Sequence, residues 1–190
     1  MGRLFVANSL YSLFTYLLMF PDKVNETLFV VGPVIKDVHV PIKMIFDIPS
    51  QECQEDEILA QGFSLANDVY RSLDGKQVPC YGNANETNNP FINRFINRYP
   101  FYALSDGLSD YELFPKYYQD ERILKCYSTA DIIKDLTHGK LEKFDIQKLW
   151  NNLSEEHKDK IVDIFNVQPK AMRKILSSRL AILPDNVNTK

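Results

Sequence analysis

The stretch Ser105-Asp106-Gly107 places a hydroxyl, a carboxylate and a glycine directly after a short apolar run. In a partly apolar cleft, a carboxylate can have a raised pKa and accept a proton from a sugar hydroxyl. Asp110 and Tyr111 follow closely, so Asp106 is the candidate general base, with Ser105, Gly107 and Asp110 as candidate binding residues. Asp-Gly is also an ordinary turn pair, and from the dipeptide alone the turn is the simpler interpretation.

Two other groups of side chains have types suited to binding a sugar. The amides of the Asn-rich segment 82–90, Asn83 foremost, could bond hydroxyl groups, although asparagine is also a common turn residue. Aromatic rings could stack on a sugar ring, although such spacing more often indicates core or interface. These aromatic residues are Tyr111, Phe114, Tyr117 and Tyr118. Trp150, at the end of an amphipathic helix, is predicted to be a core residue.

Several well-known sites are excluded because their defining residues are missing. The sequence has no GxGxxG after its first strand, no GxxxxGK[ST] and no GxSxG, which argues against a dinucleotide site, a P-loop and an α/β-hydrolase. Its cysteines and histidines are scattered without ligand spacing, so we expect no metal and no cofactor. They are Cys53, Cys80, Cys126, His39, His138 and His157. The cysteines are predicted to be reduced, semi-buried small hydrophobes of a cytosolic protein.

The elements that would position these residues alternate between strand and helix. Strands are predicted at Arg3 to Ala7, in "TLFVVG", at Lys43 to Asp47, and in "KQVPCYG", "FYALSDG" and "ERILKCYS". Helices are predicted from Ser9 to Phe20, from Gln51 to Leu73 and in "FINRFINRY". This alternation is typical of βαβ units, so the predicted fold is α/β, with a doubly wound, mostly parallel, Rossmann-like sheet.

In such a sheet, ligands bind beyond the carboxyl ends of the strands. Asn8 and Ser9 follow the first strand, and either could be the N-cap of the first helix. Gly32 follows the second strand and Asn83 the fourth, and Asp106 comes after the fifth. Asn8, Ser9 and Asn83 are therefore predicted to line the same cleft as Asp106.

The pattern changes at Thr129, where successive helices are predicted. They are "TADIIKDL", "FDIQKLWNNL", "SEEHKDKIVDIF" and "QPKAMRKILSSRL", with Ser154 as a capping start and Pro169 opening the last. Residues 1–128 and 129–190 are thus predicted to be a Rossmann-like part and a helical C-terminal part of one domain.

The apolar N-terminus has a second interpretation. "MGRLFVANSLYSLFTYLLMFP" carries one positive charge and a long apolar run, as a signal peptide or signal anchor does. Polar residues interrupt the run and no small-residue cleavage site follows, which favours a buried strand and helix.

The length, amino-acid composition and net charge of the chain limit the classes of partner that it is expected to bind. The chain has 190 residues, of which 45% are hydrophobic and 25% charged, enough for one well-cored domain or one half of a two-domain enzyme. Its net charge of -3 provides no basic surface field, so nucleic acid is not an expected partner.

The segments "RLFVANSLYSLFTYLLM", "TLFVVG" and "FYALSDGLSDY" resemble the N-terminal half of bacterial glycosyltransferase family 52 and related sialyltransferases of lipooligosaccharide and capsule synthesis. The resemblance implies a GT-B fold, and transfer of sialic acid from CMP-sialic acid to a galactose-type acceptor without a metal. This chain would be the acceptor-side part, leading toward a second domain. The resemblance also implies a cytoplasmic location, and it leaves room for a homodimer and for peripheral association with the bacterial inner membrane.

The sequence departs from the family pattern at two points. In similar enzymes an acidic pair before glycine supplies the general base, whereas here Ser105 precedes Asp106 and Gly107. No histidine is followed by proline, although a His-Pro motif binds the nucleotide phosphate in the family. The alternative interpretation is a catalytically silent Rossmann-like binding or assembly module, or a truncated gene product.

Overall fold

The computed structural model describes residues 1–46, 55–83, 90–104, 120–129 and 139–165. Seven strands form one sheet: β1 (Arg3–Ala7), β2 (Thr27–Val31), β3 (Lys43–Ile45), β4 (Cys80–Gly82), β5 (Phe101–Leu104), β6 (Ile123–Ser128) and β7 (Leu141–Lys143). The described α-helices are α1 (Leu10–Met19), α2 (Glu55–Ser72), α3 (Pro90–Arg98), α4 (Ile146–Asn152) and α5 (Glu155–Phe165). Two 3₁₀ turns, Pro21–Glu26 and Pro33–Ile35, flank β2.

The strand order is β3-β2-β1-β4-β5-β6-β7, and every neighbouring pair is parallel. The predicted α/β class, with a doubly wound Rossmann-like sheet, is therefore confirmed. The chain first builds outward from β1 to β3 and then returns to place β4 on the other side of β1. The order thus reverses between β1 and β4, which is the topological switch point of the sheet.

One strand was not predicted. The C-terminal part from Thr129 was expected to consist of helices, but β7 (Leu141–Lys143) lies within it and closes the sheet beside β6. Three residues are too few to show an alternating pattern, and β7 is stabilised mainly by its ladder to Cys126, Tyr127 and Ser128. The predicted helix "QPKAMRKILSSRL" lies outside the described residues, as does "TADIIKDL" after its first residue, Thr129. α4 and α5 confirm the two helices predicted between them.

The central strands of the sheet are buried on both faces, which explains their continuous apolar runs. Leu4 and Val6 of β1 face the core that contains side chains of α2 and α3, whereas Phe5 and Ala7 face the core that contains α1, α4 and α5. Trp150 lies partly buried at the edge of the second core, with its ring centroid 6.1 Å from that of Phe14.

The amino edge of the sheet is fixed by a buried chain of hydrogen bonds. The hydroxyl of Thr27, at the start of β2, donates to the carbonyl of Lys23 over 2.7 Å. The Tyr16 hydroxyl of α1 therefore donates to Thr27 Oγ1, also over 2.7 Å. Tyr16 and Thr27 are both fully buried, so this chain connects α1, the 3₁₀ turn Pro21–Glu26 and β2 without water.

Candidate functional site

The strand order reverses between β1 and β4, and in a doubly wound sheet a ligand-binding crevice is expected beyond the carboxyl ends of these strands. Asn8 and Ser9 follow β1, and Asn83 follows β4. Val6 is paired with Gly82 in the sheet, so the two chain segments leave it side by side. The structure thus brings together three of the predicted site residues at the position where doubly wound sheets bind ligands.

Asn8 holds one wall of this crevice. Its Oδ1 accepts a hydrogen bond from the Val34 amide over 2.8 Å, which ties the turn after β2 to the end of β1. A Cβ atom on Gly32 would lie only 2.3 Å from that oxygen, so the Asn8 side chain occupies the space that the glycine leaves. The oxygen of Asn8 is therefore engaged by the protein itself, and its amide NH₂ is the group that remains to contact a ligand.

Ser9 is the N-cap of α1, and it is one of the two residues that were predicted for this position. Its hydroxyl accepts from the Ser12 amide over 3.3 Å. α1 thus begins at the crevice, and the positive end of its helix dipole lies there. No acidic residue occupies the first turn of α1 to offset that charge. This end of the crevice therefore favours an anionic group such as a carboxylate or phosphate.

Asn83 directly follows β4, and its side chain is fully buried. Gly82 before it passes so close to β1 that a Cβ would lie 2.2 Å from the Val6 carbonyl oxygen. A sugar could contact Asn83 directly only if its buried side-chain amide became accessible. Its predicted binding role remains a prediction.

The remaining predicted site residues, Ser105, Asp106, Gly107 and Asp110, lie outside the described residues. So do the aromatic residues Tyr111, Phe114, Tyr117 and Tyr118. β5 ends at Leu104, directly before Ser105, and it lies beside β4. The roles assigned to these residues from the sequence stay predictions.

Two residues at this edge were missed by the sequence analysis. The Tyr11 hydroxyl, in the first turn of α1, lies 3.4 Å from Oγ1 of Thr129, which directly follows β6. This contact connects the first turn of α1, which begins beside β1, with the segment that follows β6. The available signal was the position of Thr129 after a strand, the same criterion that selected Asn8 and Asn83.

Metal and thiol chemistry find no support in the described part of the chain. No three His, Cys, Asp or Glu side chains there are grouped to hold a metal ion. Cys80 and Cys126 are buried, and burial raises the pKa of the Cys80 thiol well above its ordinary value, so Cys80 is a poor nucleophile. Cys53 and His138 lie outside the described residues. Among the helices described, none has the length and apolarity to cross a membrane.

Comparison with known proteins gives a likeness of fold. No protein-family model matches the sequence, and no curated protein is significantly similar to it. The structure is similar to that of the 2,6-sialyltransferase of Photobacterium sp. JT-ISH-224, determined in a ternary complex with CMP and lactose. The TM-score is 0.56 at 10% identity, over 93% of this chain and 48% of that one. The chain thus has a sialyltransferase-like α/β fold and spans about half the length of that enzyme.

Proposed function

We propose that this chain is the acceptor-side half of a glycosyltransferase that moves sialic acid from CMP-sialic acid to a galactose-type acceptor. The observation that carries this proposal is the likeness of fold to a sialyltransferase whose structure contains CMP and lactose. The switch point of the sheet is consistent with it, because ligands are expected at that position in this class of sheet. The family resemblance of the sequence adds a surface glycan such as lipooligosaccharide as the acceptor.

In the proposed reaction Asp106 is the general base. The acceptor hydroxyl oxygen forms a bond to the anomeric carbon of sialic acid, and the bond from that carbon to the phosphate oxygen of CMP breaks. CMP leaves with the electron pair, and the hydroxyl proton passes to the Asp106 carboxylate. The positive end of α1 would lie close to the negative charge of the donor sugar.

The direct test uses protein prepared from its source cells and measures transfer of sialic acid from CMP-sialic acid to lactose. If Asp106 is the base, Asp106→Ala lowers kcat by about two to four orders of magnitude. The matched control is Asp68→Ala, which removes a largely exposed carboxylate from α2 and should leave the rate unchanged.

Two outcomes would contradict the proposal. Full turnover by Asp106→Ala would reduce Asp106 to a turn residue. Binding of lactose without any transfer by the unaltered protein would favour the binding module, which the serine at position 105 and the missing His-Pro motif also suggest.

A further inference from the structure

A groove lies at the amino edge of the sheet, opposite the crevice. Its walls are the 3₁₀ turn Pro21–Glu26, the segment around His39 that precedes β3, and the C-terminal half of α5. Its volume is about 390 Å³, which lies within the usual range for sites that bind small molecules. Strands begin at this edge, so the groove is separate from the site proposed for sugar transfer.

The floor of the groove is apolar. Ile161 and Ile164 of α5 are buried there, and the partly buried Val24 faces them from the 3₁₀ turn. Pro21 and Pro41 complete the apolar lining. A ligand with an apolar body would gain mainly by excluding water from Pro21, Val24 and Pro41, because Ile161 and Ile164 are already almost fully buried.

The walls are joined to each other, so the groove is formed before a ligand arrives. The His157 imidazole of α5 bridges two elements, with Nε2 3.0 Å from Oδ1 of Asp22 and Nδ1 3.0 Å from the Ser154 hydroxyl. On the other side, the His39 amide donates to the carbonyl of Ile164 over 2.9 Å.

Ser154, His157 and Asp22 have the composition of a catalytic triad, but their arrangement is structural. The Ser154 oxygen already accepts from the His157 backbone amide over 3.2 Å, as a helix N-cap does. The carboxylate lies at Nε2 and the serine at Nδ1, the reverse of the usual triad geometry. These residues therefore hold the groove together rather than attack a substrate.

Three side chains with a full charge line the groove, namely the carboxylates of Asp22 and Asp163 and the ammonium group of Lys160. Lys160 is paired with Glu156 over 2.7 Å, so its charge is compensated on α5 itself. Asp22 contacts His157, and Asp163 forms no ion pair with any described residue. Two carboxylates above an apolar floor are complementary to a ligand that carries a positive charge on an apolar body.

We propose that this groove is a binding site for a small organic cation, an ammonium group attached to an apolar body. The apolar body lies against Val24, Ile161 and Ile164, and the ammonium group lies between the carboxylates of Asp22 and Asp163. This site is independent of the proposed transferase activity.

The test is a titration of the whole chain, at pH 8, with three probes of similar shape: 2-phenylethylammonium, 2-phenylethanol and phenylacetate. Amide shifts in a two-dimensional NMR spectrum report both affinity and location. We expect saturable shifts at Val24, Ile161 and Ile164, and about tenfold weaker binding of phenylacetate than of the ammonium probe.

A pair of variants on α5 separates the specific site from general attraction to an acidic surface. Asp163→Asn should weaken binding of 2-phenylethylammonium by about three- to tenfold. Asp159→Asn removes an exposed carboxylate from the same helix but outside the groove, and it should leave the affinity unchanged. Equal affinity for the three probes, equal effects of the two variants, or shifts confined to the crevice would each overturn the proposal.

Discussion

The two edges of the sheet are held in different ways. At the carboxyl edge, the backbone of Gly82 passes against that of Val6, and the Asn8 side chain fills the space above Gly32. At the amino edge, side chains connect elements that are further apart. Tyr16 reaches Thr27, and His157 reaches Asp22.

This difference predicts how well each edge of the sheet tolerates amino-acid substitutions. Backbone atoms in contact cannot move aside without disturbing the strand pairing, so the crevice should tolerate little added volume. Side-chain hydrogen bonds contribute about 1 kcal/mol each, so the amino edge should tolerate the loss of a single group. The edge proposed for chemistry is therefore the more rigid one, as a site that must position a reacting group requires.

The largest effect is expected for Gly82→Ala at the carboxyl edge. An added Cβ would lie 2.2 Å from the Val6 carbonyl oxygen, so β1 and β4 would have to separate. We expect a loss of about 3 kcal/mol or more in the free energy of unfolding, measured by urea denaturation.

Gly2→Ala is the matched control, because the nearest atom to its added Cβ is at an ordinary 3.7 Å. A Gly82→Ala protein within about 0.5 kcal/mol of the unaltered chain would show that the carboxyl edge is not rigid.

The sequence predicts local features of this edge better than long-range ones. The apolar run of β1, the cap at Ser9 and the helix after it depend on neighbouring residues, and the structure confirms them. The bond from Asn8 to Val34 spans 26 positions and depends on how β1 and β2 pair, which no local pattern records.

The order of the strands in the sheet is also a long-range feature, which local sequence patterns do not record. Six of the strands could be recognised from their own residues, but β4 lies beside β1 only because the chain crosses back over the sheet. The switch-point rule still placed Asn8, Ser9 and Asn83 at one edge, because the rule needs only parallel strands. It could not show that Asn83 is buried, since burial depends on how the adjacent elements pack.

An intermediate effect is expected for Tyr16→Phe at the amino edge. The substitution keeps the ring but removes the bond to Thr27, so the free energy of unfolding should fall by about 1 kcal/mol at pH 7. Tyr70→Phe, which removes the hydroxyl of an exposed ring on α2, is the control and should be neutral.

The pH dependence gives a second measurement on the same residue. Burial raises the pKa of Tyr16 to about 12, whereas an unfolded tyrosine titrates near pH 10. The folded state therefore favours the protonated phenol, and this stabilisation is complete below about pH 10 and lost as pH rises through about 12. Burial also raises the pKa of Tyr127 to about 12, so Tyr16→Phe should reduce the alkaline loss without abolishing it. An unchanged alkaline profile would mean that Tyr16 is not shielded from water.

The smallest effect is expected for Asn8→Ala, even though it lies at the rigid edge. The bond that it removes ends on the amide of Val34, whose residue is exposed, so water can replace the asparagine oxygen. We expect a loss of about 0.5–1 kcal/mol in the free energy of unfolding, and Asn8→Asp, which keeps an acceptor oxygen, should lose less.

Combining Asn8→Ala with Gly32→Ala separates volume from hydrogen bonding. In the unaltered chain, an alanine at position 32 would clash with the Asn8 amide group, because its Cβ would lie 2.3 Å from Asn8 Oδ1 and 2.4 Å from Asn8 Cγ. Gly32 has a φ of -82°, which alanine adopts readily, so the clash is the main cost. Asn8→Ala removes these two contacts but keeps the Cβ of residue 8, 2.6 Å away, so Gly32→Ala should cost about 1 kcal/mol less in this background without becoming neutral. Strictly additive effects would show that Asn8 and Gly32 do not share this space, and that the crevice wall is held by the hydrogen bond alone.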